Sequence, residues 1–504
     1  MTRKIEIMDT TLRDGEQTSG VSFSATEKLT VAQMLLEEVK VNRLEIASAK
    51  VSDGELEAVQ KITLWAASKN YLDKIEVLTF VDGDVSLNWA EKAGAKVINL
   101  LTKGSLNHLS NQLKKSPEQH FKEIEYVVNK ATEMGITVNI YLEDWSNGMR
   151  NSLDYVLQHL DLSTKLNVKR ILLPDTLGVL TPEESFLYVD MLVKRYPHTH
   201  FDFHAHNDYD LGVANVMQAL KAGAHGIHLT VNGLGERAGN APLASTIAVL
   251  KDFMSDISFD VEEKALYQIS KLVESYSGIR IPQNKPVVGE SVFTQTAGIH
   301  ADGDKKSNLY VSELNPSRFG RKTLYALGKS SGKANIEQNL RELGISLPDD
   351  ELKKVTQRII ELGDKKENVT REDLPYILAD VLDKHAVVVK VKVLNYVLTH
   401  AKGLNPSTTL RVWIEGDEIE ESAQGDGQYD AFMNAIRKIY KKKGMTLPVL
   451  TDYQVRIPPG GKSDALCETI ITWLIGGKEL KTRGLDSDQT VAAIEATVKM
   501  LNLI

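Results

Sequence analysis

Between the N-terminus and about residue 255 the chain repeats one pattern eight times: a short β-branched or apolar run, then a longer segment with apolar residues at helical spacing. The expected strands cover residues 5–8, 43–47, 75–81, 97–101, 137–142, 170–173, 200–203 and 226–231. Intervening segments such as 25–39, 117–134 and 182–196, several opened by Ser, Asp or Thr-Pro, read as helices. Eight strand-helix units of this length predict an α/β fold, a (β/α)8 TIM barrel, with its chemistry at the carboxyl ends of the strands.

A packed barrel interior is expected to tolerate polar residues only near that rim, and the strand ends supply them. Arg13 and Asp14 follow strand one, Glu45 lies in strand two, Glu143 and Asp144 end strand five, and Asp175 and Thr176 end strand six. Strand seven ends in His204-Ala-His206, and strand eight leads into the glycine-rich Asn232-Gly-Leu-Gly-Glu-Arg-Ala-Gly-Asn240, whose backbone can approach a ligand closely. Strand side chains alternate, so two histidines one residue apart point to the same side. With the Asp14 carboxylate they make a two-histidine, one-carboxylate set suited to a divalent ion with positions left open for substrate. That pattern points to an enzyme. The alternative is that Asp14 caps a helix, the histidines are ordinary polar strand residues, and Glu45 and Asp175 are caps or surface charges.

Composition narrows the class. A length of 504 residues exceeds what one core holds. Net charge is −8, with 60 basic and 68 acidic residues spread along the chain, so no footprint for nucleic acid is expected. Residues 1–4 lead straight into a strand without an apolar leader, and no apolar stretch approaches a membrane span. The single cysteine, Cys467, forms no intrachain disulfide, and a reducing, cytoplasmic location is the simpler expectation.

Beyond the barrel, residues 256–385 read as mostly helical connectors, broken by Pro282 and Pro286, with a charged loop at 364–368. A strongly β-forming run covers 387–394. Two later segments resemble each other at a spacing of about 60 residues: Thr409-Leu-Arg-Val-Trp-Ile-Glu-Gly416 before a helix at 430–440, and Thr469-Ile-Ile-Thr-Trp-Leu-Ile-Gly476 before a helix at 490–501. Trp413 matches Trp473 and Gly416 matches Gly476, which predicts a pseudo-symmetric α+β unit. The expected organisation is a catalytic barrel over 1–275, helical linker subdomains over 276–385, and a C-terminal α+β domain with an internal repeat over 386–504.

Four motifs carry a resemblance: Asp9-Thr-Thr-Leu-Arg-Asp-Gly-Glu-Gln17, the His204-Ala-His206 pair, Asn232 to Asn240, and Gly298-Ile-His-Ala-Asp-Gly303. Together they resemble the acyl-CoA-dependent carboxylate-condensing enzymes, the 2-isopropylmalate, citramalate and homocitrate synthases. Four further segments, Leu100 to Leu106, Tyr141 to Gly148, His206 to Leu211 and Val292 to Lys306, are most similar to the citramalate-forming branch.

The resemblance implies a Claisen-type condensation of acetyl-CoA with a 2-oxo acid. The acceptor would chelate a divalent metal ion (Mn, Mg or Zn) bound by Asp14, His204, His206 and Asn240. Arg13 would stabilise charge on the keto oxygen, and Thr176 would bind the acceptor carboxylate. His300, oriented by Glu143, would take the methyl proton of acetyl-CoA; its segment reaches a neighbouring subunit's barrel in the family, which implies a homodimer. Tyr310 either positions the acyl donor or packs. The C-terminal domain resembles the regulatory domain of the family, which implies isoleucine as feedback inhibitor, with Tyr429 and Asp430 in the part that lines the effector site. A dimerisation domain without a ligand is the alternative.

Leu78, Leu101 and Tyr141 are expected at the ends of strands three, four and five, where they form an apolar wall without a basic group. Such a wall disfavours 2-oxoglutarate, crowds 2-oxoisovalerate and accepts the methyl of pyruvate. The alternatives kept open are 2-oxoisovalerate as acceptor, all three wall residues as mere barrel core, an acyl-CoA lyase on the same barrel, and a non-enzymatic binding protein.

Overall fold

The computed structural model describes residues 2–295, 312–364, 369, 371–382, 390–456 and 467–503. His300, Tyr310 and most of the loop expected at 364–368 lie outside the described residues. The chain divides into two compact units, one comprising the described residues of Met1–Thr294 and Val311–Thr323, the other Gln295 and the described residues of Leu324–Ile504. No helix among the described residues is long and apolar enough to cross a membrane.

In the first unit eight parallel strands close a barrel in sequence order: β1 Glu6–Asp9, β2 Arg43–Ser48, β3 Ile75–Phe80, β4 Val97–Lys103, β5 Thr137–Glu143, β6 Val168–Asp175, β7 Phe201–Ala205 and β8 Gly226–Leu229. Closure is made by β1, which pairs with β2 on one side and with β8 on the other. The strands are buried along nearly their whole length because helices cover the outside and side chains fill the inside. The local signals set the helix starts. Ser116 with Gln119 and Thr181 with Glu184 form reciprocal capping boxes with proline at the first helical turn, opening Pro117–Glu133 and Pro182–Arg195. β6 runs further than residues 170–173 and takes in Asp175, while β8 stops at Leu229 because a 3-10 turn, Val231–Gly233, follows with Asn232 at φ 59°.

The interior departs from expectation in one respect: polar residues are not confined to the carboxyl rim. At the opposite end, Arg43 is buried between Glu76, 2.8 Å away, and Asp202, and its Nε lies 3.0 Å from Glu6. Arg170 adds a second guanidinium, 2.8 Å from Glu6, so charge replaces an apolar layer there without leaving an ion alone. Burial disfavours the charge on Arg43, but Asp202 and Glu76 outweigh it and raise its pKa. Removing one partner from such a set typically costs about 3–5 kcal/mol, so this floor carries stability rather than chemistry.

In the second unit the helices Lys333–Glu342, Asp349–Asp364 and Leu374–Leu382 pack together through Ile336, Leu352, Val355 and Leu374. Two similar halves follow. Strands β9 Val391–Thr399, β10 Ser407–Ile414 and β11 Asp417–Gln424 form one antiparallel sheet before helix Gln428–Lys442; β12 Val449–Arg456, β13 Cys467–Ile475 and β14 Lys478–Asp486 form the other before Gln489–Leu503. The duplication is present, but its structural spacing is the 61 residues between Gln428 and Gln489, both of which open 15-residue helices. Val412, not Trp413, therefore occupies the place of Trp473: both are fully buried, whereas Trp413 is only partly so. Side chains alternate across a strand, so a one-residue slip in a sequence match exchanges the two faces.

Candidate active site

After β1 the chain coils over the carbonyl of Thr10, which accepts from the backbone N–H groups of Arg13, Asp14 and Gly15 at 3.2, 2.9 and 3.1 Å. This turn drives the Asp14 carboxylate into the barrel mouth. Its Oδ2 lies 3.2 Å from Nε2 of His204, inside β7, and 3.7 Å from Nε2 of His206, just beyond it. The alternation argument holds, since both imidazoles present the same nitrogen to one carboxylate. Ligand atoms of all three residues lie within 4.8 Å of one another, and all three residues are buried.

Asn240 joins them through the backbone, where it bridges His206. Its Nδ2 donates to Leu234 O at 3.3 Å, while its buried Oδ1, like Oδ1 of Asp14, has no hydrogen-bond partner among the described residues. Leaving such acceptors unsatisfied costs about 1–3 kcal/mol each, a deficit that a cation corrects. Burial pushes the histidine pKa values down, that of His206 to about 4, which keeps both imidazoles neutral as ligands must be. Burial opposes ionisation of Asp14, but Arg13 and the two histidines hold its carboxyl well below the usual range. One carboxylate, two neutral nitrogens and a carboxamide oxygen therefore fit a divalent metal ion.

The glycines of the loop from Asn232 to Asn240 are required by this placement. Gly239 has φ 84°, and a Cβ there would stand 1.9 Å from Gly233 O; a Cβ at Gly235, φ 153°, would stand 2.4 Å from Nδ2 of Asn240. Arg237 closes the loop onto Asp208, at 2.8 and 3.0 Å, and onto Thr176 O at 2.8 Å.

Arg13 is aimed by Glu45. The guanidinium Nε donates to Oε2 of Glu45 at 2.6 Å and lies 3.5 Å from Asp14 through Nη1. Glu45 has no exposed surface and also accepts from Thr10 Oγ1 at 2.7 Å and Asn99 Nδ2 at 2.8 Å. Burial raises its pKa, but Arg13 and those donors outweigh it and keep it ionised. Glu45 is thus neither a cap nor a surface charge. Its sequence signal was a carboxylate between Leu44 and Ile46 in a buried strand.

A cavity of roughly 200 Å³ opens beside this cluster, lined by Arg13, Asp14, Leu78, Leu101, Tyr141, Glu143, Thr176, His204 and His206, together with Gln17, Ser48, Phe80, Pro174 and Glu236. Leu78 and Tyr141 pack with Leu172 into one apolar cluster, against which Leu101 leans. Thr176 Oγ1 accepts the Asp144 N–H at 2.9 Å, which leaves its hydroxyl hydrogen free to donate. Glu143 is paired with Lys103 and lies 3.9 Å from Nδ1 of His108, two neighbours that sequence reasoning missed. The backbone of Lys103 is pinned by Tyr155 Oη donating to its carbonyl at 2.8 Å, and its own N–H donates to His120 at 3.3 Å. A larger cavity of roughly 490 Å³ shares Arg13, Gln17 and Ser48 with the first.

Tyr429 and Asp430 stand in the first turn of helix Gln428–Lys442, in the second unit. Tyr429 Oη hydrogen-bonds Thr497 Oγ1 at 2.7 Å and its ring lies against Tyr453. Asp430 Oδ2 accepts from Asp426 N and from Asn434 Nδ2, both at 3.1 Å.

Comparison with known proteins matches three successive segments of the chain. Residues 4–273 match the HMGL-like family, 287–367 the homocitrate synthase post-HMGL domain-like family, and 368–504 the LeuA allosteric (dimerisation) domain. A putative (R)-citramalate synthase from Methanopyrus kandleri is 33% identical over 502 residues, covering 99% of this chain and 96% of that protein. A probable 2-isopropylmalate synthase of the same organism is also 33% identical, over 504 residues, covering 100% and 98%. The (R)-citramalate synthase of Methanocaldococcus jannaschii is 31% identical over 503 residues, covering 99% of each chain.

Proposed function

The chain belongs to the citramalate and 2-isopropylmalate synthase family, acyltransferases that condense acetyl-CoA with a 2-oxo acid, and from that premise we propose that its acceptor is pyruvate and its product (R)-citramalate. Identity is equal to relatives of both branches, so the reading rests on the pocket. The observation that carries it is the apolar wall of Leu78, Leu101 and Tyr141 in a cavity of roughly 200 Å³. Among the described lining residues Arg13 is the only lysine or arginine, and it is engaged by Glu45 and Asp14, which leaves no unengaged lysine or arginine to pair with a second carboxylate of 2-oxoglutarate. A wall of two leucines and a tyrosine accepts a methyl group and crowds an isopropyl group; steric exclusion must do most of this, because a hydrophobic pocket yields only about 1–3 kcal/mol per methylene.

A divalent ion held by Asp14, His204, His206 and Asn240 would polarise the acceptor carbonyl as a Lewis acid. Arg13, fixed in direction by Glu45, presents its guanidinium where negative charge grows on the keto oxygen. Thr176 donates to the acceptor carboxylate. The methyl proton of acetyl-CoA needs a positioned base, a role assigned to His300 with Glu143 as its orienting partner. The adjoining cavity of roughly 490 Å³ offers room for the acyl donor next to Arg13. Water then cleaves the thioester of the condensation product, which makes the reaction irreversible. The match to an allosteric (dimerisation) domain supports a homodimer under feedback control, with isoleucine as the effector.

Free-CoA release from acetyl-CoA by the purified protein, with pyruvate, 2-oxoisovalerate and 2-oxoglutarate in parallel and with or without chelator, tests the reading. Preference for pyruvate, abolished by chelator, is the expected result. Preference for 2-oxoisovalerate would replace the acceptor while keeping the chemistry, and no release with any acid would sink the condensation at this site.

A further inference from the structure

We propose that His228, braced by Asp202, is a positioning residue that fixes Tyr141 and so sets how long an acceptor the pocket admits; this rests on the reading of Tyr141 as part of the acceptor wall. Tyr141 differs from Leu78 and Leu101 in having a polar end. Its side chain is buried, and a buried tyrosine hydroxyl needs a partner. That partner is Nδ1 of His228, 2.8 Å away. The ring is also crossed edge-on by His204, with centroids 6.0 Å apart, and approached by the Arg13 guanidinium at 5.9 Å.

The hydrogen-bond sense follows from the far side of the imidazole. Nε2 of His228 lies 3.2 Å from Oδ2 of Asp202, and a carboxylate only accepts, so Nε2 carries the hydrogen. In the neutral ring Nδ1 is then a lone pair, and the Tyr141 hydroxyl donates to it. Asp202 is itself immobilised by Arg43 and by His200, whose Nε2 is 2.8 Å from Oδ1. Gly226, at the start of β8, makes room for this carboxylate, since a Cβ there would stand 2.2 Å from Oδ1. The wall of the acceptor pocket is thereby tied to the ion-paired floor. His228 is fully buried and does not line the cavity, so it acts on the acceptor through its neighbours: Tyr141, which it holds by the hydrogen bond, and His204, whose ring it meets edge-on with centroids 5.5 Å apart.

The consequence concerns selectivity. A wall discriminates against one extra methylene only if it does not yield, and a tyrosine released from its partner can tilt. The test compares kcat and KM for pyruvate, 2-oxobutanoate and 2-oxoisovalerate in the wild type, His228→Leu, His228→Gln, Tyr141→Phe and the double variant Tyr141→Phe/His228→Leu. The expected result is a roughly tenfold fall in preference for pyruvate over 2-oxobutanoate in His228→Leu, carried by KM more than by kcat, because one methylene in a pocket is worth at least about that much. Tyr141→Phe moves the preference in the same direction, the double variant falls no further than the larger single change, and His228→Gln, whose carboxamide oxygen still accepts, recovers part of it. An unchanged preference in a folded His228→Leu, or losses that add in the double variant, overturns the inference. Should His228→Leu not fold, unchanged preference in both His228→Gln and Tyr141→Phe overturns it as well. Failure of the wild type to use pyruvate would instead remove the acceptor reading.

Discussion

The two ends of the barrel interior both bury charge, and they do so in opposite ways. At the floor, Arg43 faces Glu76 and Asp202, and each charge finds its counter-ion within the protein. At the rim, Asp14 and two neutral imidazoles converge with Asn240, while the nearest cation, Arg13, makes its closest contact with Glu45 and stands 3.5 Å from Asp14. Buried charge that closes on itself holds the fold together. Buried donors that converge on a common point without a partner are arranged for something that arrives from outside.

The sharpest way to break the comparison is to remove one converging ligand. His206→Ala is expected to lose bound divalent metal, measured by elemental analysis, and to lower kcat/KM for CoA release by on the order of a thousandfold, the upper range for deleting one preorganised electrostatic element. Its thermal midpoint should stay near that of wild type. A variant that keeps both metal and turnover would remove the ligand assignment.

The complementary change is Glu76→Leu. It leaves Arg43 short of one of its carboxylates and should cost about 3–5 kcal/mol in urea denaturation of the barrel unit, with kcat of the folded enzyme little altered. A large fall in kcat with unchanged stability would mean that the floor takes part in the chemistry and that the two ends are not distinct.

This contrast also marks what the sequence could convey. The rim was legible because eight strand-helix units put Asp14, Glu143, Thr176 and the His204/His206 pair at corresponding ends of strands, and period-2 alternation then aimed both imidazoles the same way. The floor was not legible. Arg43 opens the expected strand 43–47, but nothing nearby in the sequence marks it as buried; its partner Asp202 is 159 residues away, and only closure of the barrel brings them together. The same reason hid Lys103 beside Glu143. In the C-terminal halves, matching Trp413 with Trp473 caught the duplication but missed one residue of register, because identical letters outweighed the alternation of buried faces.

A smaller effect tests how the rim is built. Gly239→Ala forces a Cβ to within 1.9 Å of Gly233 O at φ 84°, so the loop must shift and Asn240 with it. Weaker metal binding by roughly tenfold is expected, the lower end for disturbing the supports of a metal site, together with a raised metal requirement for CoA release. Binding indistinguishable from wild type in a metal titration would show that Asn240 is no ligand.

The smallest predicted effect separates both ends from the barrel wall. His159, in helix Leu153–Ser163, has its pKa pushed down to about 3 by burial, with His120 adding to it, and His120 falls to about 4, again chiefly by burial. In the folded state both stay neutral, whereas the unfolded chain takes up protons below about pH 6.5. Their contribution is therefore fully present above roughly pH 7.5 and is lost on acidification through the unfolded value toward the folded one. Between pH 7.5 and 6.0 each should cost a little under about 1 kcal/mol. Thermal midpoints at the two pH values, compared between wild type and His159→Gln, measure it. A variant that loses stability with acid as steeply as wild type would place the sensitivity at the floor or the rim instead of in the wall.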